Sequence, residues 1–155
     1  KYKNGVSVCQ EAEEDGAVNS GAFRLLKGEC MWKEDIDKLL GREVTGFALS
    51  NDSETLSLSF RDGGSADLVT EGDCCSTTWI ESIDTPEYLK GTIQAIENID
   101  MPSLGNTPTP KRGYVDEVQY YGLKITTDKG SAVIDYRNDS NGYYGGSINL
   151  HMPRL

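Results

Sequence analysis

The chain has few of the residue types on which catalytic and cofactor sites most often depend. Its 155 residues include one histidine, three phenylalanines and four cysteines. The motifs that cradle a phosphate, hold a catalytic zinc ion or present a serine nucleophile (GxxxxGK, HExxH and GxSxG) do not occur, and no GxGxxG precedes a helix. These absences favour a non-enzymatic protein, and we expect neither a cofactor nor a bound metal ion.

Basic residues are also scarce. Fifteen lysines and arginines stand against 25 acids, which gives a formal net charge of -10. Phosphate backbones and anionic lipids both need cations for binding, so we expect no direct contact with nucleic acid or membrane. No apolar run approaches the roughly 20 residues of a membrane helix, and no signal peptide is visible. We therefore expect a cytoplasmic protein.

The length fits one ordinary domain, but the beginning of the chain differs from the rest. The stretch "CQEAEEDGAVNSG" is acidic and has only weak hydrophobic periodicity. We predict that residues 1–33 form an acidic arm or a docked segment, and that residues 34–155 form a single β-rich domain.

The hydrophobic pattern changes from a helical period to a period of two near residue 42. The stretch "KEDIDKLLG" places Ile36, Leu39 and Leu40 on one helical face. Later stretches such as "TLSLSF" and "SADLVT" alternate apolar and polar residues, and glycine turns at residues 62–64 and 128–130 join strands into hairpins. A second, single helical turn is predicted at "DTPEYLKG", with Thr85 as its cap.

Together these patterns predict an α+β fold that is mainly antiparallel β. In an antiparallel sheet one face commonly packs on the core and the other is exposed to solvent, and this alternation produces such faces. We expect a twisted sheet or a partly open barrel, with one or two short helices against it.

The stretch "EGDCCSTTWIE" contains the first candidate functional residues. Zinc sites usually space their ligands by two to four residues, so the adjacent Cys74 and Cys75 are a poor start for one. A thiol nucleophile needs a base, and the only imidazole, His151, alternates with apolar residues and is expected on a polar face. We expect one cysteine in the core and the other beneath a turn.

The stretch "YRNDSNGYYGG" contains the second set. Its simplest interpretation is a hairpin with one packed tyrosine, in which Arg137 pairs with Asp73 or Glu71. The functional interpretation is a rim that binds a ligand or a partner through Arg137, Asn138, Asn141 and Tyr144. Gly145 and Gly146 would permit a bulge or a close approach of another backbone.

These two stretches, with "YGLKITTDKG" before the second, resemble a family of small uncharacterised proteins from bacteria, phages and mobile genetic elements. The likeness runs from about Leu40 to Leu150. It implies no activity, but it implies that two sets of residues belong to the family's motifs. The first set is Asp73, Cys74, Cys75, Ser76, Trp79 and Glu81. The second is Tyr136, Arg137, Asn138, Ser140, Asn141, Gly142, Tyr143, Tyr144, Gly145 and Gly146.

Two functions remain open from the sequence. The favoured one is a non-enzymatic protein-interaction module of a phage or mobile element, acting through an exposed β edge or the tyrosine-glycine segment. It would form a homodimer, and in a sharper version it would inhibit a nucleic-acid enzyme by imitating the charge of DNA. The alternative is a small-ligand binder or enzyme whose pocket joins the two stretches, with Asp73 or Glu81 as the acid–base group. The candidate ligand- or partner-binding residues are Asp73, Cys74, Cys75, Ser76, Trp79, Glu81, Arg137, Asn138, Asn141, Tyr143 and Tyr144.

Overall fold

The computed structural model describes residues 33–73, 75–102, 117–140 and 145–152, together with the backbone of two short strands near the start of the chain. The predicted arm, residues 1–33, lies almost entirely outside the described residues. Its separation from a single domain at 34–155 stays a prediction.

The described elements are mostly strands. One α-helix, α1, spans Lys33–Leu39, and a 3-10 helix spans Pro86–Leu89. The strands are β1 Tyr2–Lys3, β2 Val6–Ser7, β3 Val44–Leu49, β4 Thr55–Phe60, β5 Ser65–Gly72, β6 Thr77–Asp84, β7 Ile93–Asp100, β8 Glu117–Thr127, β9 Gly130–Ser140 and β10 Gly146–His151.

The long strands form two four-stranded sheets. Sheet I has the order β10-β5-β4-β3, and sheet II has the order β6-β9-β8-β7. Every pairing is antiparallel. The predicted α+β class with mainly antiparallel strands is therefore confirmed, and the described strands do not close into a barrel.

The hydrophobic core lies between the inner faces of the two sheets. In β4 the residues Leu56, Leu58 and Phe60 are buried, and the intervening serines lie on the other face. Sheet II contributes Ile134 and Tyr136, both fully buried. Burying such a side chain stabilises a fold by about 1.5–3 kcal/mol. The alternation of apolar and polar residues therefore gives the sheets the apolar faces that pack together.

The two predicted glycine turns are both present. At the first, Gly63 has a φ of +93°, and the N–H of Gly64 donates to Asp62 Oδ1 at 2.8 Å. That N–H, assisted by the charge of Arg42, lowers the pKa of the Asp62 carboxyl below its ordinary value. At the second turn Gly130 lies directly against the ring of Tyr88, where a Cβ would have no room.

The helical predictions are correct in position and wrong in two details. Leu39 is fully buried and Ile36 packs on the core, but Leu40 is 40% exposed because the helix ends before it and the chain turns at Gly41.

Thr85 does not cap the 3-10 helix with its side chain. Its hydroxyl instead donates to the Ser131 carbonyl at 2.6 Å, which ties this helix to β9.

Backbone hydrogen bonds connect the sheets at two places. Near the start of β3, the Val44 N–H donates to the Gly91 carbonyl at 2.8 Å. At the start of β6, the Ile80 N–H donates to the carbonyl of Ser53, in the β3–β4 turn, at 2.7 Å. The second connection brings β6 beside sheet I and prepares the site described below.

No helix in the described ranges is long and apolar enough to cross a membrane.

We predict that Leu68→Ala, at a fully buried position of β5, lowers the free energy of unfolding by about 2–5 kcal/mol. The control Leu40→Ala, just after α1 and 40% exposed, should lower it by less than about 1 kcal/mol. Urea unfolding of both variants measures the difference. Equal losses would show that the core does not lie between the sheets.

Candidate functional site

The two candidate stretches come together in the fold. The first supplies the first five residues of β6, and the second supplies the last five residues of β9. These strands are antiparallel neighbours in sheet II. Thr78 lies opposite Asn138, and Trp79 lies opposite Arg137. Residues separated by about 60 positions in the sequence therefore share one part of the molecule.

The turn before β6 is bound to the residue that precedes β10. The Asp73 N–H donates to the Gly145 carbonyl at 3.0 Å, and the Ser76 hydroxyl approaches the same carbonyl at 3.3 Å. In return the Gly145 N–H donates to Asp73 Oδ2 at 3.3 Å. Asp73 and Ser76, both predicted site residues, thus hold two chain segments together.

Behind this turn lies a row of hydrogen-bonded polar groups, which we call the polar join. The Thr78 hydroxyl donates to Asn138 Oδ1 at 2.7 Å, and Asn138 Nδ2 donates to Gln119 Oε1 at 2.8 Å. The Tyr121 hydroxyl donates to the same Gln119 oxygen at 3.2 Å and accepts the Gly146 N–H at 3.4 Å. Thr78 and Asn138 are buried. Buried polar groups need such partners, because each unsatisfied one costs about 1–3 kcal/mol.

Two glycines allow the strands to approach this closely. A Cβ built on Gly146 would lie 2.4 Å from Thr78 Oγ1 and 3.0 Å from Asn138 Oδ1. A Cβ on Gly72 would lie 2.6 Å from Ser76 Oγ. The close neighbours of Gly146 are the side chains of Thr78 and Asn138, rather than the backbone that was predicted. The contact between the described parts of the two stretches is filled.

The outer face of sheet II carries a second group of predicted residues around Arg137. Its guanidinium donates to both oxygens of Asp135, at 3.2 and 3.0 Å, and lies 4.8 Å from the centre of the Tyr120 ring. A second carboxylate, Glu81, is 3.9 Å away and accepts the Trp79 indole N–H at 2.9 Å. Fork-shaped pairing of this kind is specific to arginine.

The predicted pairing of Arg137 with Asp73 or Glu71 is therefore wrong. The strand alternation places Arg137 on the outer face of sheet II, next to Asp135 two residues earlier. Partial burial acts to lower the pKa of Arg137, but the hydrogen bonds and charge of Asp135 and the charge of Glu81 outweigh it and raise the pKa.

The predicted burial of both cysteines is wrong for Cys75. This residue is exposed, in the turn before β6, and has a φ of +71°. The tight Asp73–Ser76 turn, with the Ser76 N–H donating to the Asp73 carbonyl at 3.1 Å, forces the left-handed conformation there. Cys74 lies outside the described residues.

The predicted hairpin at "YRNDSNGYYGG" is also wrong. Strand β9 continues to Ser140 in sheet II, whereas β10 pairs with β5 in sheet I. The connection therefore crosses between sheets. The predicted residues Asn141, Tyr143 and Tyr144 lie outside the described residues, so their part in a site stays a prediction.

Sequence reasoning missed Gln119 and Tyr121. Both lie on the core-facing side of β8, in register with Asn138 and Tyr136 of β9. The alternation that places Leu123 and Ile125 inside also places Gln119 inside. A glutamine at a core position indicates a buried polar partner, and that signal was present in the sequence.

The exposed histidine matches its prediction. His151 ends β10, and its Nε2 lies 2.9 Å from Glu71 Oε2. In the part of the chain that the structure describes, no three acidic, histidine or cysteine side chains cluster to hold a metal ion. An open groove of about 300 Å³ lies between α1 and β7, apart from the polar join, and is lined by Lys33, Ile36, Asp37, Leu40, Gln94, Ala95, Ile96 and Glu97.

These features define a small two-sheet antiparallel β domain that is fastened by a buried polar join. The chain belongs to the family described as a domain of unknown function, DUF7448, whose model matches residues 37–150. Membership of an uncharacterised family is therefore confirmed, over almost the range expected from the sequence. No curated protein and no solved structure matches the chain.

We predict that Gly146→Ala lowers the free energy of unfolding by about 1–3 kcal/mol, because its methyl group would overlap Thr78. The control is Gly145→Ala, whose methyl group would meet only the Tyr121 hydroxyl, at an ordinary 3.4 Å. Thermal unfolding of the single variants and of Gly146→Ala/Thr78→Ala gives the coupling. Equal losses in the two glycine variants would contradict a filled contact.

We expect Arg137→Lys to cost roughly 1–3 kcal/mol of stability, since an ammonium cannot reproduce the paired hydrogen bonds to Asp135 or the contact with Tyr120. Arg61→Lys is the matched control. The Arg61 side chain is 70% exposed and makes one hydrogen bond to Glu43, so Arg61→Lys should lower stability by much less than Arg137→Lys. Chemical denaturation compares the two, and a larger loss at Arg61 would refute the assignment.

Proposed function

We propose that this domain is a non-enzymatic protein-interaction module that receives an extended strand of a partner at the edge formed by β3. The observation that carries the proposal is the exposed, uncharged edge of sheet I, where Ala48 and Leu49 meet solvent. Backbone groups along such an edge are templates for an added strand.

β3 differs from the edge strands of sheet II in its side chains. Its sequence, VTGFAL, contains no charged residue. In contrast, β6 carries Glu81 and Asp84, and β7 carries Glu97 and Asp100. Both strands have a register shift, as β3 does between Val44 and Gly46, ahead of its accessible part. Charges and bulges are the usual devices that prevent edge pairing. The absence of charge along β3 supports its use as a binding edge.

The accessible part of β3 is defined by its neighbours. Val44 is bonded to Gly91, so the beginning of the strand is occupied. From Gly46 to Leu49, the strand partner of β3 within the described ranges is β4. Leu49 faces the same side as Phe47, yet it is 40% exposed, whereas Leu56 opposite it is fully buried. Covering Leu49 with a partner strand would remove apolar surface from water and stabilise the complex.

The filled contact between the two candidate stretches supports a scaffolding role for them. Thr78, Asn138 and Gly146 are packed against one another and leave no space for a substrate. Arg137 is likewise engaged by Asp135 and Tyr120. A pocket that joins the stretches, as the alternative function requires, gains no support from these residues.

Imitation of DNA is supported only by the net charge of -10. Several of the described carboxylates are matched by cations: Asp62 by Arg42, Glu43 by Arg61, and Asp135 by Arg137. A DNA mimic needs rows of unmatched charge, so the edge of β3 is the better-supported surface. An origin in a phage or mobile element stays a prediction.

A photo-reactive residue tests this function directly. We expect a photo-reactive phenylalanine at Ala48 to give a discrete crosslinked product in cells that make the protein naturally. The same residue at Ser65, exposed on the central strand β5, is the control and should give none. Identical products from both positions, or none from either, would contradict recognition at β3.

A further inference from the structure

We propose that the strand received by β3 is β3 of a second copy of this chain, so that the domain forms a two-fold symmetric dimer. This inference rests on the proposed function, and it names the partner. A two-fold axis perpendicular to sheet I would join two four-stranded sheets edge to edge, which is the commonest symmetry of a homodimer.

The side chains of β3 are self-complementary about such an axis. Directly opposite residues of an antiparallel pair have their side chains on the same face of the sheet. The axis must therefore pass midway between one residue and the same residue of the second copy, so that the inner face of one sheet continues into the inner face of the other. With the axis at Ala48, Phe47 lies opposite Leu49 of the second copy, and Leu49 lies opposite Phe47 of the second copy. Both are inner-face residues, because they pair in β4 with the buried Leu58 and Leu56.

This arrangement covers the apolar surface that the single chain leaves open. Leu49 is 40% exposed and Phe47 is only partly buried, although both face the core side. In the dimer each would extend the core across the axis. Ala48 is small and lies on the outer face, so it allows the two strands to approach at the axis itself.

The charges along β3 are also compatible with an antiparallel copy. Near its beginning Arg42 is paired with Asp62 and Glu43 with Arg61, and Lys90 lies 6.0 Å from the centre of the Phe47 ring. The turn after β3 carries Asp52, whose carboxylate accepts the Ser50 hydroxyl at 2.6 Å. Antiparallel pairing places the part of each strand that lies near Lys90 beside the end of the other strand that leads to Asp52. A parallel arrangement would place like ends together.

Two leucines offer a matched pair for the test. Leu49 and Leu40 are both 40% exposed, but Leu40 lies after α1 and away from the β3 edge. Sedimentation of the wild-type protein over a range of concentrations should show a monomer–dimer equilibrium. Leu49→Lys should shift it to monomer at every concentration used, and Leu40→Lys should leave it as in the wild type. Circular dichroism verifies that both variants are folded.

A cysteine crosslink tests the axis without relying on a destabilising change. Residues directly opposite in an antiparallel pair have Cβ atoms about 4.5–5.5 Å apart, so Ala48→Cys should form a 48–48 disulfide in the dimer. Thr45→Cys is the control on the same strand. Its two copies would be six residues apart along the pair, roughly 20 Å, and should not crosslink. Mass spectrometry of the linked peptides separates this bond from bonds of the native cysteines.

The possible outcomes distinguish the inference from the proposed function. A wild-type protein that stays monomeric and gives no 48–48 disulfide overturns the dimer. If Ala48 then still photo-crosslinks to another protein, the edge is used by a different partner and the proposed function stands. A dimer that is unaffected by Leu49→Lys, or that Leu40→Lys abolishes equally, also overturns the inference, because its interface would lie elsewhere.

Discussion

The hydrogen bond between Thr78 and Asn138, within sheet II, anchors the row of polar groups that connects this sheet to sheet I. It is short, at 2.7 Å, and both residues are buried, so loss of either partner would strand a polar group in the interior. Through Gln119 and Tyr121 it extends to the backbone of Gly146, where β10 enters sheet I. A sandwich of sheets held by apolar contact alone could slide, whereas a directional bond fixes one register.

That constraint also explains why we do not place the proposed recognition surface in the two candidate stretches. The stretches that resemble a functional motif are largely occupied in holding strands together, through the Asp73 turn, the polar join and the Arg137 cluster. Glycine at residue 146 is needed because any side chain would collide with Thr78. A distinctive motif can therefore be required for folding, and the partner surface that we propose is instead the short uncharged edge strand β3 of sheet I.

Local patterns predicted the elements well. Alternation in "TLSLSF" identified both the strand and its buried face, and the glycine turns fixed two hairpins. Long-range relations were less accessible. The sequence "YRNDSNGYYGG" has the composition of a hairpin, but its two ends belong to different sheets. β10 pairs with β5, and local composition does not reveal such a long-range pairing. Cys75 was misplaced for a related reason: the turn geometry imposed by Asp73 and Ser76 outweighs the apolar preference of a thiol.

The most direct measurement is hydrogen exchange of the wild-type protein at low and high concentration, followed by peptide for the segment 44–50. The account predicts that the amides of β3 that point away from β4 exchange rapidly in dilute solution and become protected as concentration rises. Amides around Thr78 and Asn138 should be protected throughout. Slow exchange of these amides in dilute solution would contradict an open edge at β3, and exchange that does not change with concentration would contradict the dimer.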